Sequence, residues 1–257
     1  MRDHGLENRV QDALDQGSSV WVVGDIHGYR ETFESLLGSL CLSGGDLVVC
    51  LGDLIDRGPD SLGVMRIVRD REEVLSIRGN HDEMLRLSLS SRHGGRMMRS
   101  WLKYGGLDTL SSMSDQQERS LEVAESWVDF VESLPTQLVL RDFRLAHAGF
   151  VEGTPIDEQS NQDLMWSRGV FEFQSPPDTE RQVIVGHTTT QALMGAGSEG
   201  IWESPVRLKG GRPAVIGIDT GIYLPRDENP RLTAINLADG SIVSVNRIEE
   251  SQVDISP

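Results

Sequence analysis

Three times in the first third of the chain, an apolar run ends at or near a glycine and is followed at once by a side chain able to hold a cation. Val20-Trp21-Val22-Val23 leads to Gly24-Asp25-Ile26-His27, Leu47-Val48-Val49-Cys50-Leu51 to Gly52-Asp53, and Val74-Leu75-Ser76-Ile77 to Arg78-Gly79-Asn80-His81. Continuous valine-rich runs of this length are characteristic of strands buried on both faces in a parallel sheet. Asp25 and Asp53 are 28 residues apart and Asp53 and Asn80 are 27 apart, a spacing that suits strand–helix–strand crossovers. The intervening helices have apolar faces, Phe33, Leu36, Leu37 and Leu40 in one and Leu62, Met65, Ile67 and Val68 in the other. Three adjacent parallel strands would bring Asp25, His27, Asp53 and Asn80 together at the carboxyl ends, where open α/β sheets hold their ligands. A carboxylate buried there without a positive partner is costly. A single Gly-Asp pair is an ordinary turn; the threefold repetition at crossover spacing is what argues for a site.

The alternation then stops. Residues 91–134 read as a helical insert. Arg96 to Tyr104 forms one helix ended by Gly105-Gly106, and Ser114 to Gln117 has the form of a capping box. A further helix carries Leu121, Trp127, Val128, Phe130, Val131 and Leu134 up to Pro135. Strands resume at Gln137–Leu140 and Arg144–Ala146, a hairpin about Asp142-Phe143 whose second strand runs into His147. Leu164 to Arg168 falls in a loop, and Val183–Val185 ends in Gly186-His187. The tail reads as antiparallel, with short strands Val206–Leu208, Ala214–Ile218, Leu232–Asn236 and Ile242–Asn246 and turns at Gly210-Gly211 and Asp239-Gly240. The expectation is a single α/β domain over residues 1–257, with two mixed sheets packed together, helices outside, and a cap-like insert at about 91–134.

Asp25, His27, Asp53, Asn80, His147 and His187 each follow a strand closely. That is too many ligands for one tetrahedral ion and suits two divalent ions bridged by a carboxylate, with Asp53 the natural bridge. A hydroxide on such a pair of ions can act as the nucleophile, so no serine or cysteine is needed. Arg57, Arg78 and Arg168 lie beside these loops, and guanidinium forks match phosphate oxygens. Cations and arginines together point to phosphoryl transfer to water. His81 follows Asn80, and Asp56 lies three residues past Asp53; this pair suits a general acid and its orienting carboxylate. A formal net charge of −16 argues against a nucleic-acid backbone as partner and leaves a phosphate substrate to be drawn in by local cations. No apolar run is long enough for a membrane span. The polar opening residues and the two cysteines, Cys41 and Cys50, both read as reduced core thiols, lead to the expectation of a cytoplasmic protein.

Gly24-Asp25-Ile26-His27-Gly28, Gly52-Asp53-Leu54-Ile55-Asp56-Arg57-Gly58, Arg78-Gly79-Asn80-His81-Asp82, His147-Ala148-Gly149 and Gly186-His187-Thr188 together resemble the signature of the calcineurin-like metallophosphoesterases, most nearly the phosphoprotein phosphatase branch with its compact bacterial and phage-type serine/threonine phosphatases. Ile218-Asp219-Thr220-Gly221 resembles a further segment near that signature's end. The resemblance implies a four-layer sandwich of two mixed sheets between helices, and phosphomonoester hydrolysis with two metals, manganese foremost and iron, zinc or magnesium as alternatives. It implies Asp25 and His27 on the first metal, Asn80, His147 and His187 on the second, and Asp53 bridging. Arg57, Arg78 and Arg168 would hold phosphate, with His81 and Asp56 as the acid pair. The broader superfamily often has a histidine where this chain has Thr189, so the first metal would have fewer protein ligands. The usual Glu after Asn-His is Asp82 here, as in the symmetrical dinucleoside tetraphosphate hydrolases. Those relatives typically lack an acid at Asp56 and an arginine at Arg78, which ranks a phosphoserine, phosphothreonine or phosphotyrosine substrate first and dinucleoside tetraphosphate second. A non-catalytic metal-bound scaffold that docks phosphorylated partners is the third reading. The oligomeric state is open.

Overall fold

The computed structural model describes residues 1–90, 94–113 and 119–249. The capping box at Ser114 to Gln117 lies outside the described residues. Among the described residues, ten strands form two five-stranded sheets. They are β1 (Val20–Val23), β2 (Leu47–Cys50), β3 (Val74–Ser76), β4 (Gln137–Val139), β5 (Phe143–Ala146), β6 (Gln182–Val185), β7 (Trp202–Glu203), β8 (Val215–Gly217), β9 (Arg231–Asn236) and β10 (Ile242–Asn246). The helices are α1 (His4–Asp15), α2 (Arg30–Ser39), α3 (Ser61–Asp70), α4 (Asn80–Leu89), α5 (Gly94–Trp101), α6 (Leu107–Ser112), α7 (Ser120–Ser126), α8 (Val128–Ser133), α9 (Asn161–Trp166) and α10 (Thr190–Met194).

The first sheet runs β10-β9-β1-β2-β3 and the second β4-β5-β6-β8-β7. β1, β2 and β3 are parallel neighbours, with Val20 opposite Leu47 and Val48 opposite Val74. The period of two along each strand builds three apolar layers. Val20, Val22, Leu47 and Val49 face Leu138, Leu145, Ile184 and Ile216 of the other sheet. Trp21, Val23, Val48 and Cys50 face outward onto Phe33, Leu36, Leu62 and Met65 of α2 and α3. Val183, Val185 and Val215 form the outer face of the second sheet with Leu164 of α9. Each of these fully buried side chains stabilises the fold by about 1.5–3 kcal/mol relative to exposure. The layers are therefore helix, sheet, sheet, helix, as expected.

Several local expectations are corrected. The tail is not wholly antiparallel, because β8 pairs in parallel with β6, Ile184 opposite Ile216. Val206–Leu208 makes only an isolated bridge, Arg207 to Pro213, and the edge strand is β7 instead. The helix before Gly105-Gly106 does end at that pair, as expected: Gly105 is non-helical, with φ of 119°, and the chain kinks there before α6 begins. The helix around Leu121 and Phe130 is broken at Trp127 into α7 and α8. Leu164 and Met165 lie in α9, not a loop, because Ser160 caps it, its hydroxyl accepting from the Asp163 amide. Cys50 is buried but Cys41 is exposed at the end of α2.

Glu7 ties helix α1 to β4 of the second sheet. Glu7, 5% exposed, accepts from Arg2 Nε and the Arg2 terminal nitrogen at 2.8 Å each, from His4 Nδ1 at 2.9 Å and from the Val139 amide of β4 at 2.9 Å. Burial alone would raise its pKa, but the bonds from Arg2, Val139 and His4 outweigh burial and hold the carboxyl below its ordinary value. The folded pKa then lies below the unfolded one. The stabilisation is complete above the unfolded value of about 4.3 and is lost as pH falls through the folded value. Glu7→Gln should destabilise by about 1–3 kcal/mol at neutral pH. In urea titrations the gap to wild type should close below about pH 4; a gap that does not change with pH would refute the assignment.

Candidate active site

Five parallel strands deliver the expected residues to one end of the sandwich. Asp25 and His27 follow β1, Asp53 follows β2, Asn80 opens α4 after β3, His147 follows β5 and His187 follows β6. The loops are tight and strained. Of the seven non-glycine residues with positive φ among the described residues, His27, Asp53, Asp56, Arg57 and His187 are here, with φ between 48° and 73°. Each such residue costs roughly 1–2 kcal/mol, and strain of this kind gathers at functional sites. Gly79 is required by proximity, since a Cβ on it would overlap the amide and carboxylate of Asp53.

Asp53 stands between two halves of a buried cluster. Its Oδ2 is 3.6 Å from His27 Nε2, which in turn is 4.0 Å from Asp25 Oδ2. Its Oδ1 is 3.4 Å from His147 Nε2, which lies 2.8 Å from Asn80 Oδ1 and 3.2 Å from His187 Nδ1. One donor atom each from His27, Asp53 and His81 lie within 4.8 Å of one another, and the same holds for Asp53, His147 and His187. All six expected ligands are thus brought together, and His81 joins the half that contains His27.

The donor set fits divalent cations. His27 Nδ1 donates to the Ile55 carbonyl at 3.0 Å and His147 Nδ1 to the Leu51 carbonyl at 2.8 Å. Those bonds fix the tautomers and leave both Nε2 lone pairs aimed at Asp53. Burial keeps all three imidazoles in the neutral form: it lowers the pKa of His27, reinforced by Arg57, and likewise those of His147 and His187. The carboxyl pKa of Asp53 is held below its ordinary value: burial would raise it, but attraction to the protonated forms of His147, His81, His27 and His187 outweighs burial. Burial, then Asp219 and then Asp53 push the Asp25 pKa well up. Lone pairs and carboxylates converge here, an arrangement that divalent cations satisfy. Arg57 contributes positive charge, its NH1 donating to His27 Nε2 at 2.6 Å. A cation held on that nitrogen would compete with this hydrogen bond.

Asp82 holds the frame. Its Oδ2 accepts from the amides of Asp53 at 2.9 Å and Gly79 at 2.8 Å, and its Oδ1 from the Leu54 amide at 3.1 Å. The His81 amide donates to Asp53 Oδ1 at 2.9 Å. A cleft of about 360 Å³ opens onto Asp53, lined among others by Arg57, Arg168, His81, Met84, Trp166 and Tyr223. Arg168 NH1 donates to Thr188 Oγ1 at 2.9 Å, and the Arg57 guanidinium lies 3.9 Å over the Tyr223 ring. Arg78 is placed elsewhere. It is 5% exposed, its NH1 donates to Glu83 Oε2 at 3.0 Å, and it does not line the cleft with the other two arginines.

Two residues were missed as site members. Asp219 follows β8 as Asp25 follows β1; its Oδ1 accepts from the Gly221 amide at 3.0 Å and its buried Oδ2 has no partner. The apolar run into Ile218-Asp219 carried that signal, which the antiparallel reading of the tail concealed. Tyr223 stands edge-on to His27, ring centroids 4.9 Å apart, and no spacing in the sequence points to it.

Residues 18–216 match the calcineurin-like phosphoesterase family, and the chain belongs to that family of hydrolases, which work with divalent metals. Among individual relatives, serine/threonine-protein phosphatase 1 of Salmonella typhimurium is 36% identical over 157 residues, 58% of this chain and 68% of the relative. The symmetrical bis(5'-nucleosyl)-tetraphosphatase of Nitrosospira multiformis is 28% identical over 142 residues, 54% of this chain and 46% of the relative. A crystal structure of a proposed diadenosine tetraphosphatase has the same fold, with a TM-score of 0.60 and 24% identity over 89% of this chain and 93% of the other. No helix among the described residues is long and apolar enough to cross a membrane.

Metal-stripped protein should be stabilised by added manganese, by about 2.7 kcal/mol at one hundred times the dissociation constant. Asp53→Asn should lose most of that gain in thermal melts, and an undiminished gain in this variant would place the cations elsewhere.

Proposed function

We propose that the protein hydrolyses phosphomonoesters of serine and threonine, and also tyrosine, in phosphorylated proteins, with two divalent cations, manganese foremost. The observation that carries the reading is the Asp56–His81 pair, Oδ2 to Nδ1 at 2.7 Å, on the rim of a cluster suited to cations. Asp25 and His27 would hold one ion, Asn80, His147 and His187 the other, and Asp53 both. Bound, such ions supply Lewis acidity and a hydroxide nucleophile at neutral pH. The rest of the work belongs to the chain. Arg57 and Arg168 bind the phosphoryl oxygens and orient the group for in-line displacement. Tyr223 braces the Arg57 guanidinium by a cation–π contact and Thr188 tethers that of Arg168. With Nδ1–H committed to Asp56, His81 directs Nε2 at the leaving group and gives it a proton as the phosphorus–oxygen bond breaks. Arg78, counted toward this substrate class from the sequence, is committed to Glu83 and has no part in the reading.

Hydrolysis of dinucleoside tetraphosphates is the second reading. It is favoured by the aromatic and thioether walls of the cleft, Met84, Met97, Tyr104, Trp166 and Tyr223, on which a base can stack. Phosphate release from phosphopeptides and ADP release from diadenosine tetraphosphate, both by the manganese-loaded protein, separate the two. Faster turnover of the peptides is expected, and preference for the dinucleotide would overturn the substrate assignment. Asp53→Asn should reduce kcat on either substrate by at least about a thousandfold; undiminished turnover in that variant would overturn the mechanism itself.

A further inference from the structure

The inserted helices reach the Asp56–His81 pair directly. The Asp56 side chain is completely buried. Its Oδ2 accepts from His81 Nδ1 at 2.7 Å, and its Oδ1 accepts from Thr109 Oγ1 at 2.6 Å and Trp101 Nε1 at 2.9 Å. The same indole nitrogen lies 3.1 Å from Oδ2, so it is shared between the two oxygens. The Asp56 amide donates to Thr109 Oγ1 and Ser61 Oγ, each at 3.0 Å, and those two hydroxyls are 3.0 Å apart. The inventory closes: the single Thr109 proton goes to the carboxylate, and its lone pairs take the Asp56 amide and the Ser61 hydroxyl.

Trp101 ends α5 and Thr109 lies in α6, both fully buried, with the turn Leu102–Gly106, kinked at Gly105, between them. The turn brings the Gly105 carbonyl to the Arg57 amide at 3.4 Å. Gly105 has φ of 119°, and a Cβ there would sit 2.8 Å from the Arg57 nitrogen and 3.1 Å from Asp56 Cβ, so the insert lies against the Asp56-Arg57 peptide. Asp56 and Arg57 have φ of 73° and 70°, a left-handed pair that needs outside contacts to persist. Those contacts come from the insert and from the first turn of α3.

We propose that Trp101 and Thr109 are positioning residues for protonation of the leaving group, so that the insert completes the catalytic constellation as well as walling the cleft. The proposal rests on the reading of Asp56 and His81 as the acid pair. Trp101 and Thr109 fix the carboxylate plane of Asp56, the carboxylate fixes the His81 ring, and Nε2 is held toward the oxygen that departs. In the step itself the phosphorus–oxygen bond breaks with its electron pair on oxygen. The Nε2 proton moves to that oxygen while the Nδ1–H to Asp56 stays in place.

The test uses the full chain, loaded with manganese, and compares an alkyl phosphomonoester with p-nitrophenyl phosphate, whose phenolate leaves without a proton. Thr109→Val and Trp101→Phe keep the shape and delete one donor each. On the alkyl ester kcat should fall about tenfold or more at unchanged KM, and on p-nitrophenyl phosphate less than about threefold. Thr109→Ser restores the hydroxyl and should return near to wild type. His81→Ala, run in parallel, should show the same selectivity with a larger loss. If His81→Ala is selective but Thr109→Val and Trp101→Phe lose both substrates equally, or if the serine variant is as impaired as the valine one, the positioning role is overturned and the acid reading stands. If His81→Ala itself loses both equally, the acid reading falls and the proposal with it. Should thermal melting show Thr109→Val to be unfolded, Trp101→Phe decides by the same criteria.

Discussion

An ionised carboxylate at Asp53, 2% exposed and surrounded by imidazoles that burial keeps neutral, sets the terms for everything around it. An uncompensated charge in such a place is costly enough to unfold a marginal protein. The chain answers with donors from its own backbone, through the His81 amide, and with a guanidinium on the neighbouring His27. Neither reaches the Nε2 lone pair of His147, whose Nδ1 proton is already committed to a carbonyl. The cluster is therefore built around positive charge that the side chains alone do not supply in full. The nearness of Asp219 and Asp25 adds to that demand, because neither carboxylate has a cationic side chain bonded to it among the described residues.

Much of this was legible because parallel strands announce themselves twice, as apolar runs and as crossover spacing. Asp25, His27, Asp53 and Asn80 could be placed together from β1, β2 and β3 alone, and His147 and His187 joined them because each ends an apolar run. The legibility failed where the rule was applied too narrowly. β8 is as apolar as β6 and runs parallel to it, yet its neighbours in sequence are hairpin-like, so Asp219 went without a role. Arg78 shows the opposite failure. Adjacency to Gly79-Asn80 suggested a place in the cleft, but a side chain can leave a loop on either side, and this one turns to Glu83 in the interior.

The insert was the least legible part, for a physical reason. Trp101 and Thr109 lie on two helices separated by a glycine pair, and nothing in a period of 3.6 predicts that the turn between them will aim both side chains at one distant carboxylate. The contacts that make the turn worthwhile lie with Asp56, some fifty residues away, and long-range polar contacts have no periodic signature. A buried tryptophan must still find a partner for its indole N–H. In a largely polar helical segment that requirement was the one available hint that Trp101 reaches a distant acceptor.

Charge bears on which phosphate the cleft takes. Against a formal net charge of −16, every additional negative group on a substrate meets an unfavourable field unless a local cation offsets it. A monoester dianion needs little beyond the cation cluster, Arg57 and Arg168. A tetraphosphate chain extends past them and needs further positive charge along its path. Arg96, Arg99 and Lys103 are exposed on α5 and the turn after it, one position before the cleft-lining Met97, Ser100 and Tyr104 in each case. Consecutive residues on a helix are about 100° apart, so these cations border the wall of the cleft without facing into it. They can meet a long polyanion only where it leaves the cleft over the insert. The phosphomonoester reading asks nothing of them, and for that reason it stands first.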